Sequence, residues 1–223
     1  MDPINRYLDA AILKPEFTRD EVIAAINESI KWKTKTVCVR PCDIALAKKL
    51  TAGTETGVSC VLAFPHGASS TVVKVYEAKQ YIDEGTDEID MVANFGMIRS
   101  GRWDYVQTEI RSVAHVCNAR NIPLKVIFEI CYLTPEEIAH TTEICITSGA
   151  SFVKTSTGFA AGGATVEAVQ IMLDTAKGRI KVKPSGGIRD RKTALRYIEM
   201  GAERLGTNYA ATEALVTGKA HAG

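Results

Sequence analysis

Eight short apolar runs alternate with eight longer amphipathic stretches, and this predicts an α/β chain whose parallel strands close into a single (β/α)8 (TIM) barrel. The strand-like runs are rich in Val, Ile and Phe without clean alternation, as expected of strands buried on both faces. At 223 residues and 46% hydrophobic content, the chain suits one such barrel over residues 1–223. Right-handed helical crossovers then wind the eight units into a closed sheet. The competing arrangement, an open doubly wound sheet, carries G-x-G-x-x-G after its first strand. Here the glycine-rich stretch from Gly158 to Gly163 follows the sixth strand instead.

The units run in order. A strand at Tyr7–Asp9 leads to a helix over Arg19–Lys31, which opens behind the cap residue Thr18 with an acidic first turn. Thr36–Val39 leads to a helix over Cys42–Leu50, and Val58–Ala63 to one over Thr71–Glu84 behind Ser70. Glu88–Val92 precedes a helix over Trp103–Ala119. Leu124–Ile130 precedes one over Pro135–Thr147, where Thr134 and Pro135 supply a cap and an N1 proline. The last three pairs are Phe152–Thr155 with Thr165–Thr175, Ile180–Lys183 with Arg191–Met200, and Arg204–Gly206 with Ala210–Leu215. Gly85, Gly149 and Gly201 are helix stops.

Composition excludes several classes. The 27 basic and 26 acidic side chains nearly balance, so no general attraction to nucleic acid or anionic lipid is expected. No apolar run is long enough to cross a membrane, and the N-terminus lacks a signal-peptide pattern, which points to the cytoplasm. The six cysteines form no C-x-x-C pair; Cys38, Cys60 and Cys131 lie in or beside strand-like runs and read as buried, reduced thiols. His66 is the one histidine placed near a strand end; His115 and His140 fall in helices and His221 in the tail. No metal constellation emerges, so neither metal nor cofactor is expected.

Reactive groups of such barrels stand at the C-terminal ends of the strands. The polar residues there are Asp9, Asp90, Glu129, Lys154 and Lys183. Lys154 ends the run Phe152-Val153 and is followed by small or hydroxyl residues. Burying a lysine costs several kcal/mol unless its charge is paired or lost, so its retention suggests function. Lys183 occupies the matching point of the next strand. Lys181 shares its face by period two but lies at the strand start, away from the reaction. Two ammonium groups in one semi-buried site repel: Lys183 is expected to hold its positive charge and so to favour the free amine on Lys154, a nucleophile toward carbonyls. Asp90 is the candidate proton shuttle beside them. Glycines at Gly186, Gly187 and Gly206 follow the seventh and eighth strands, a usual place for phosphate binding by backbone N–H groups. Arg189 and Asn208 lie in these same loops, and Gly158 lies in the loop after the sixth strand.

These segments together resemble the deoxyribose-phosphate aldolases, a class I aldolase family. The resemblance rests on Leu13-Lys14-Pro15, Val37-Cys38-Val39-Arg40-Pro41, Phe64-Pro65-His66-Gly67-Ala68, Asp87-Glu88-Ile89-Asp90-Met91-Val92, Lys154-Thr155-Ser156-Thr157-Gly158-Phe159 and Lys183-Pro184-Ser185-Gly186-Gly187-Ile188-Arg189. It spans nearly the whole chain. It implies reversible cleavage of 2-deoxy-D-ribose 5-phosphate to acetaldehyde and D-glyceraldehyde 3-phosphate, with no metal or cofactor. Lys154 then forms the Schiff base, Lys183 perturbs it, and Asp90 joins the proton relay. Gly158, Gly186, Gly187, Gly206 and Asn208 bind substrate, and the enzyme is expected to be a homodimer. The chain departs from the family pattern at Ala11, Ile130 and Tyr209, with Tyr209 expected to fill or donate to the phosphate end. Those departures motivate a second reading, a sibling Schiff-base aldolase with a different, unphosphorylated acceptor. A third, a non-catalytic or isomerase-type barrel that binds a sugar phosphate, leaves the two lysines and Asp90 without a purpose.

Overall fold

The computed structural model describes residues 3–219. The eight strands are β1 (Leu8–Ile12), β2 (Thr36–Val39), β3 (Gly57–Leu62), β4 (Glu88–Val92), β5 (Leu124–Ile127), β6 (Phe152–Lys154), β7 (Lys181–Lys183) and β8 (Leu205–Asn208). All pair in parallel with their sequence neighbours, and β8 returns to β1. An isolated parallel bridge between Ser185 and Gly206, with hydrogen bonds from Glu203 N–H to the Val182 carbonyl and Gly206 N–H to the Pro184 carbonyl, joins β7 to β8. The barrel predicted from the alternation is therefore the one observed.

The helices among the described residues are α1 (Arg19–Lys31), α2 (Ile44–Thr51), α3 (Thr71–Asp83), α4 (Phe95–Arg99), α5 (Trp103–Asn118), α6 (Pro135–Ser148), α7 (Val166–Ala176), α8 (Arg191–Met200) and α9 (Thr212–Thr217). Thr18 and Thr134 each build a full capping box, with Glu21 and Glu137 as the reciprocal partners. The short α4 was not foreseen. Its cap is Asn94, whose side chain accepts the Met97 N–H at 3.2 Å, and Gly96 hid it from a helix reading. Single 3-10 turns at Ile4–Tyr7, Pro41–Asp43, Ile130–Tyr132 and Tyr209–Ala211 also went unread and displaced several boundaries. Strand β1 begins one residue later than expected and runs on to Ile12. Strand β5 stops at Ile127, because Glu129 adopts a left-handed backbone conformation.

The outer strand faces and the helix faces that cover them bury Val, Ile and Leu side chains in one continuous core. Behind β4, Lys74 of α3 and Glu109 of α5 form a fully buried pair at 2.8 Å. Lys74 also donates to the Val92 carbonyl at 2.8 Å, and Glu109 accepts the Asn94 N–H at 3.0 Å. This pair fixes the C-terminal end of the strand that carries Asp90. Removing one partner of a buried pair strands the other charge, so both helices are committed to this register.

Gly67 shows how tightly the loop after β3 lies on β4. Its φ is +67°, and a Cβ there would stand 2.2 Å from the Ala93 carbonyl oxygen and 2.9 Å from the Val92 side chain. We expect Gly67→Ala to cost about 2 kcal/mol or more, lowering the thermal midpoint by roughly 4–8 °C. An unchanged melting curve would show that this loop does not pack as described.

Candidate active site

The site begins with seven ionisable side chains packed inside the barrel. Asp9 (β1), Glu88 and Asp90 (β4) are the carboxylates, and all three are buried. Lys125 (β5), Lys154 (β6), Lys183 (β7) and Arg204, just before β8, are the cations, also buried. Lys125 reaches three carboxylates, with Nζ 2.6 Å from Glu88 Oε2, 2.7 Å from Asp90 Oδ1 and 3.4 Å from Asp9 Oδ2. Lys183 reaches two, at 2.5 Å from Asp9 Oδ2 and 2.7 Å from Asp90 Oδ2. Lys154 reaches one, Asp90 Oδ2, at 2.7 Å. Arg204 Nη1 donates at 2.8 Å both to Asp9 Oδ1 and to Glu88 Oε2.

Asp90 Oδ2 thus sits between the two lysines singled out from the sequence. Their nitrogens can be no farther apart than the sum of two hydrogen bonds. The β6–β7 register explains why, since Lys154 and Lys183 are direct partners on adjacent strands. Gly206 makes the room: a Cβ there would lie 3.3 Å from Lys183 Cε and 2.3 Å from Ser185 Oγ.

Fully ionised, the cluster holds four positive and three negative charges. Loss of one proton balances it, and that proton belongs to the group rather than to one residue. Burial alone would push Asp9 and Asp90 up. The Lys125 cation, with Lys183 and Arg204 at Asp9 and with Lys154 and Lys183 at Asp90, more than reverses that and holds both well below the usual carboxylate range. Burial works against Lys125 too, but Asp9, Asp90 and Glu88 raise it well above an ordinary lysine. Lys183 goes the other way. Burial lowers it, Asp9 and Asp90 oppose this, and the nearby Lys125 and Lys154 charges add to the lowering. Lys125, and not Lys183 as expected from the sequence, is therefore the fixed cation of the set, and Lys183 is a lysine whose proton is loosened, because burial and the Lys125 charge outweigh its two carboxylate partners.

Above the cluster a pocket of about 200 Å³ opens at the C-terminal ends of β1, β6, β7 and β8. Asp9, Lys154 and Lys183 form its floor, and Cys38, Ala11 and Leu13 one wall. Burial pushes the Cys38 thiol up, which suits packing rather than nucleophilic attack. Gly158, Gly186, Gly187, Gly206 and Asn208 all line it, with Lys14 and Arg189 supplying positive charge. Arg40 holds the loop after β1 in place by donating to the carbonyls of Lys14, Pro15 and Phe17 at 3.0–3.2 Å. Thr155 and Ser185 exchange two 2.9 Å hydrogen bonds, locking the loops after β6 and β7 together. Among the described residues, the N–H groups of Gly186, Gly187 and Ile188 donate to no group of the chain.

Several expectations need correction. Tyr209 neither fills the phosphate end nor lines the pocket; its ring packs edge-on against Phe17 at 6.0 Å. Of the three departures only Ala11 touches the pocket. Cys131 is exposed rather than buried, because β5 ends before it, and so is Cys42; all six cysteines are free. His66 is exposed and outside the pocket, and His221 lies outside the described residues. Lys181 is exposed at the outer end of β7, 3.9 Å from Glu203, as its strand position required. Lys125 and Arg204 were missed. Lys125 in Leu124-Lys125-Val126-Ile127 shows the same signal as Lys154, a lysine inside an apolar strand.

A closed barrel with lysines gathered around a carboxylate beneath a pocket at its C-terminal mouth is the architecture of an aldolase, a carbon–carbon lyase. Comparison with known proteins narrows this: the chain belongs to the DeoC/LacD family aldolases, whose family model matches residues 7–218. It is 41% identical over 216 residues to the deoxyribose-phosphate aldolase of Treponema denticola, covering 97% of this chain and 99% of that one. Among solved structures it resembles an aldolase designated QR15, with a TM-score of 0.89 and 40% identity over 95% of this chain and 94% of the other. It also resembles the tetrameric deoxyribose phosphate aldolase of Aeropyrum pernix, with a TM-score of 0.85 and 26% identity over 95% and 89%. No helix among the described residues is long and apolar enough to cross a membrane.

The shifts of Asp9 and Asp90 set the acid limit of stability. Their folded values lie below the unfolded aspartate value of about 3.9, so the unfolded chain binds more protons near and below that pH. Their contribution is present at neutral pH and is lost as pH falls through about 4 and lower. Replacing Lys125 by Met weakens the depression. We expect Lys125→Met to lose about 3–5 kcal/mol at pH 7 and to show a shallower acid decline in a pH series of denaturant melts. A variant as stable as the parent at pH 7 would remove Lys125 as the fixed cation.

Proposed function

We propose that this chain cleaves 2-deoxy-D-ribose 5-phosphate reversibly to acetaldehyde and D-glyceraldehyde 3-phosphate through a Schiff base on Lys154. The single observation that carries this is Asp90 Oδ2 bridging, at 2.7 Å each, Lys154 and Lys183, the two lysines of the pocket floor. The relatives named deoxyribose-phosphate aldolase support the substrate.

In this reading Lys154 has one carboxylate partner and faces the pocket, so its amine is the one that meets the C1 aldehyde. Loss of water gives an iminium, an electron sink conjugated to C2. Removal of the C3 hydroxyl proton breaks the C2–C3 bond and releases D-glyceraldehyde 3-phosphate. The electron pair moves into the iminium to leave an enamine. Protonation at C2 and hydrolysis release acetaldehyde and restore the amine. Asp90 and Lys183, which share a hydrogen bond and a loosened proton, accept and return the proton, directly or through solvent. Lys125 keeps Asp9 and Asp90 ionised throughout, and Arg204 adds to this at Asp9. The unbonded N–H groups at 186–188, with Lys14 and Arg189 at the mouth, receive the phosphate. Asn208 lines the same end and accepts the Ala210 N–H at 2.9 Å, which fixes its side chain there.

The expected homodimer fits Val72, Val73 and Tyr76, which stand exposed on one face of α3 and suit a second copy of the chain.

Two measurements test the reading. Deoxyribose 5-phosphate should be preferred over free deoxyribose by more than about tenfold in kcat/KM, or roughly 1.4 kcal/mol. A smaller preference would favour the sibling aldolase with an unphosphorylated acceptor. Lys183→Leu should lower kcat by about 100-fold or more while KM changes less than about threefold. An unchanged kcat would exclude Lys183 from the proton transfer.

A further inference from the structure

We infer that Glu129 is a positioning residue for substrate binding: from the end of β5 its carboxylate sets the loop after β6 so that Gly158 is left as that turn's unbonded amide donor at the pocket. The inference rests on the sugar-phosphate reading above and assigns the Gly158 N–H to an oxygen of that ligand.

Glu129 is 2% exposed and has φ 58° and ψ 61°, a left-handed conformation that crowds a side chain. The backbone is pinned on both sides of it. Phe128 N–H donates to the Lys154 carbonyl and Ile130 N–H to the Thr155 carbonyl, each at 3.0 Å. The kink turns the side chain toward the next loop. There Oε1 accepts the Thr157 N–H at 3.2 Å, and Oε2 accepts the Thr157 hydroxyl in a very short hydrogen bond. The same hydroxyl oxygen accepts the Phe159 N–H at 3.0 Å.

The amides on both sides of Gly158 are consumed by this relay. Among the described residues the Gly158 N–H has no partner in the chain, and Gly158 lines the pocket. Its neighbour across the loop is Gly186, so the contact carries over to the next glycine turn. Glu129 itself does not line the pocket and acts through Thr157. A strained backbone, a buried carboxylate and two donors from one residue are more than a passive packing site needs. They define a strut from β5 to the donor face of the β6 loop.

The test uses the full-length chain and the near-isosteric variants Glu129→Gln, Thr157→Val and their combination. Hydrogen exchange of the 155–165 segment is measured without ligand, and kcat and KM are measured on deoxyribose 5-phosphate. We expect exchange about tenfold faster in either single variant, KM raised about tenfold with kcat changed less than about threefold, and a double variant no worse than either single. Unchanged exchange, an unmoved KM in both variants, or losses that add in the double variant would overturn the role. A parent chain that does not turn over the sugar phosphate would refute the substrate instead, and the exchange measurement would then decide on Glu129 by itself.

Discussion

Asp90 is the constraint from which the site is built. A fully buried carboxylate meets three lysine ammonium groups, two of them on the same oxygen. No member of that set is stable in the barrel interior alone, since an unpaired ion there costs several kcal/mol. Each is tolerable because the others are present, and the four-to-three charge count leaves one proton in surplus. The surplus is what makes the cluster chemical rather than merely structural. The carboxylates hold Lys125 firmly charged, whereas Lys183 is pushed toward release, and Lys154 stands at the pocket with the fewest anionic partners. Chemistry of the Schiff-base kind needs this division between cations that stay and a proton that moves.

The scaffold delivers that geometry by register. Parallel pairing puts Lys154 opposite Lys183 and Asp90 opposite Lys125 on neighbouring strands. Closure through β8 brings Asp9 and Arg204 to the same interior. The outer layer then fixes what the strands carry. The Lys74–Glu109 pair holds the end of β4, Arg40 holds the loop after β1, and Thr155 and Ser185 lock two loops at the mouth. Glu129 extends the same logic, trading a strained backbone for a fixed loop.

Much of this was legible in the sequence. The barrel showed in eight apolar runs of nearly regular spacing, and strands such as Thr36–Val39 and Glu88–Val92 are found at the positions read. Lys154, Lys183 and Asp90 betrayed themselves as charges in apolar strand ends, and the glycine loops as neighbours at consecutive strands. Lys125 carried the same mark but lies one turn of the pleat deeper, where period two alone does not tell a pocket floor from a buried counterion. Arg204 precedes its strand, so only closure reveals that its side chain turns inward. The end of β5 was misread because a left-handed glutamate has no sequence signature comparable to glycine. Tyr209 was misplaced because a loop side chain's direction depends on its tertiary neighbour, here Phe17.

The most direct measurement asks which lysine is the nucleophile. The protein is incubated with acetaldehyde, reduced with borohydride, and mapped by mass spectrometry over the peptides that hold Lys125, Lys154 and Lys183. The ethyl adduct is predicted on Lys154 and on neither of the others. An adduct on Lys183 or Lys125, or none at all, would contradict the division of roles that the buried cluster implies.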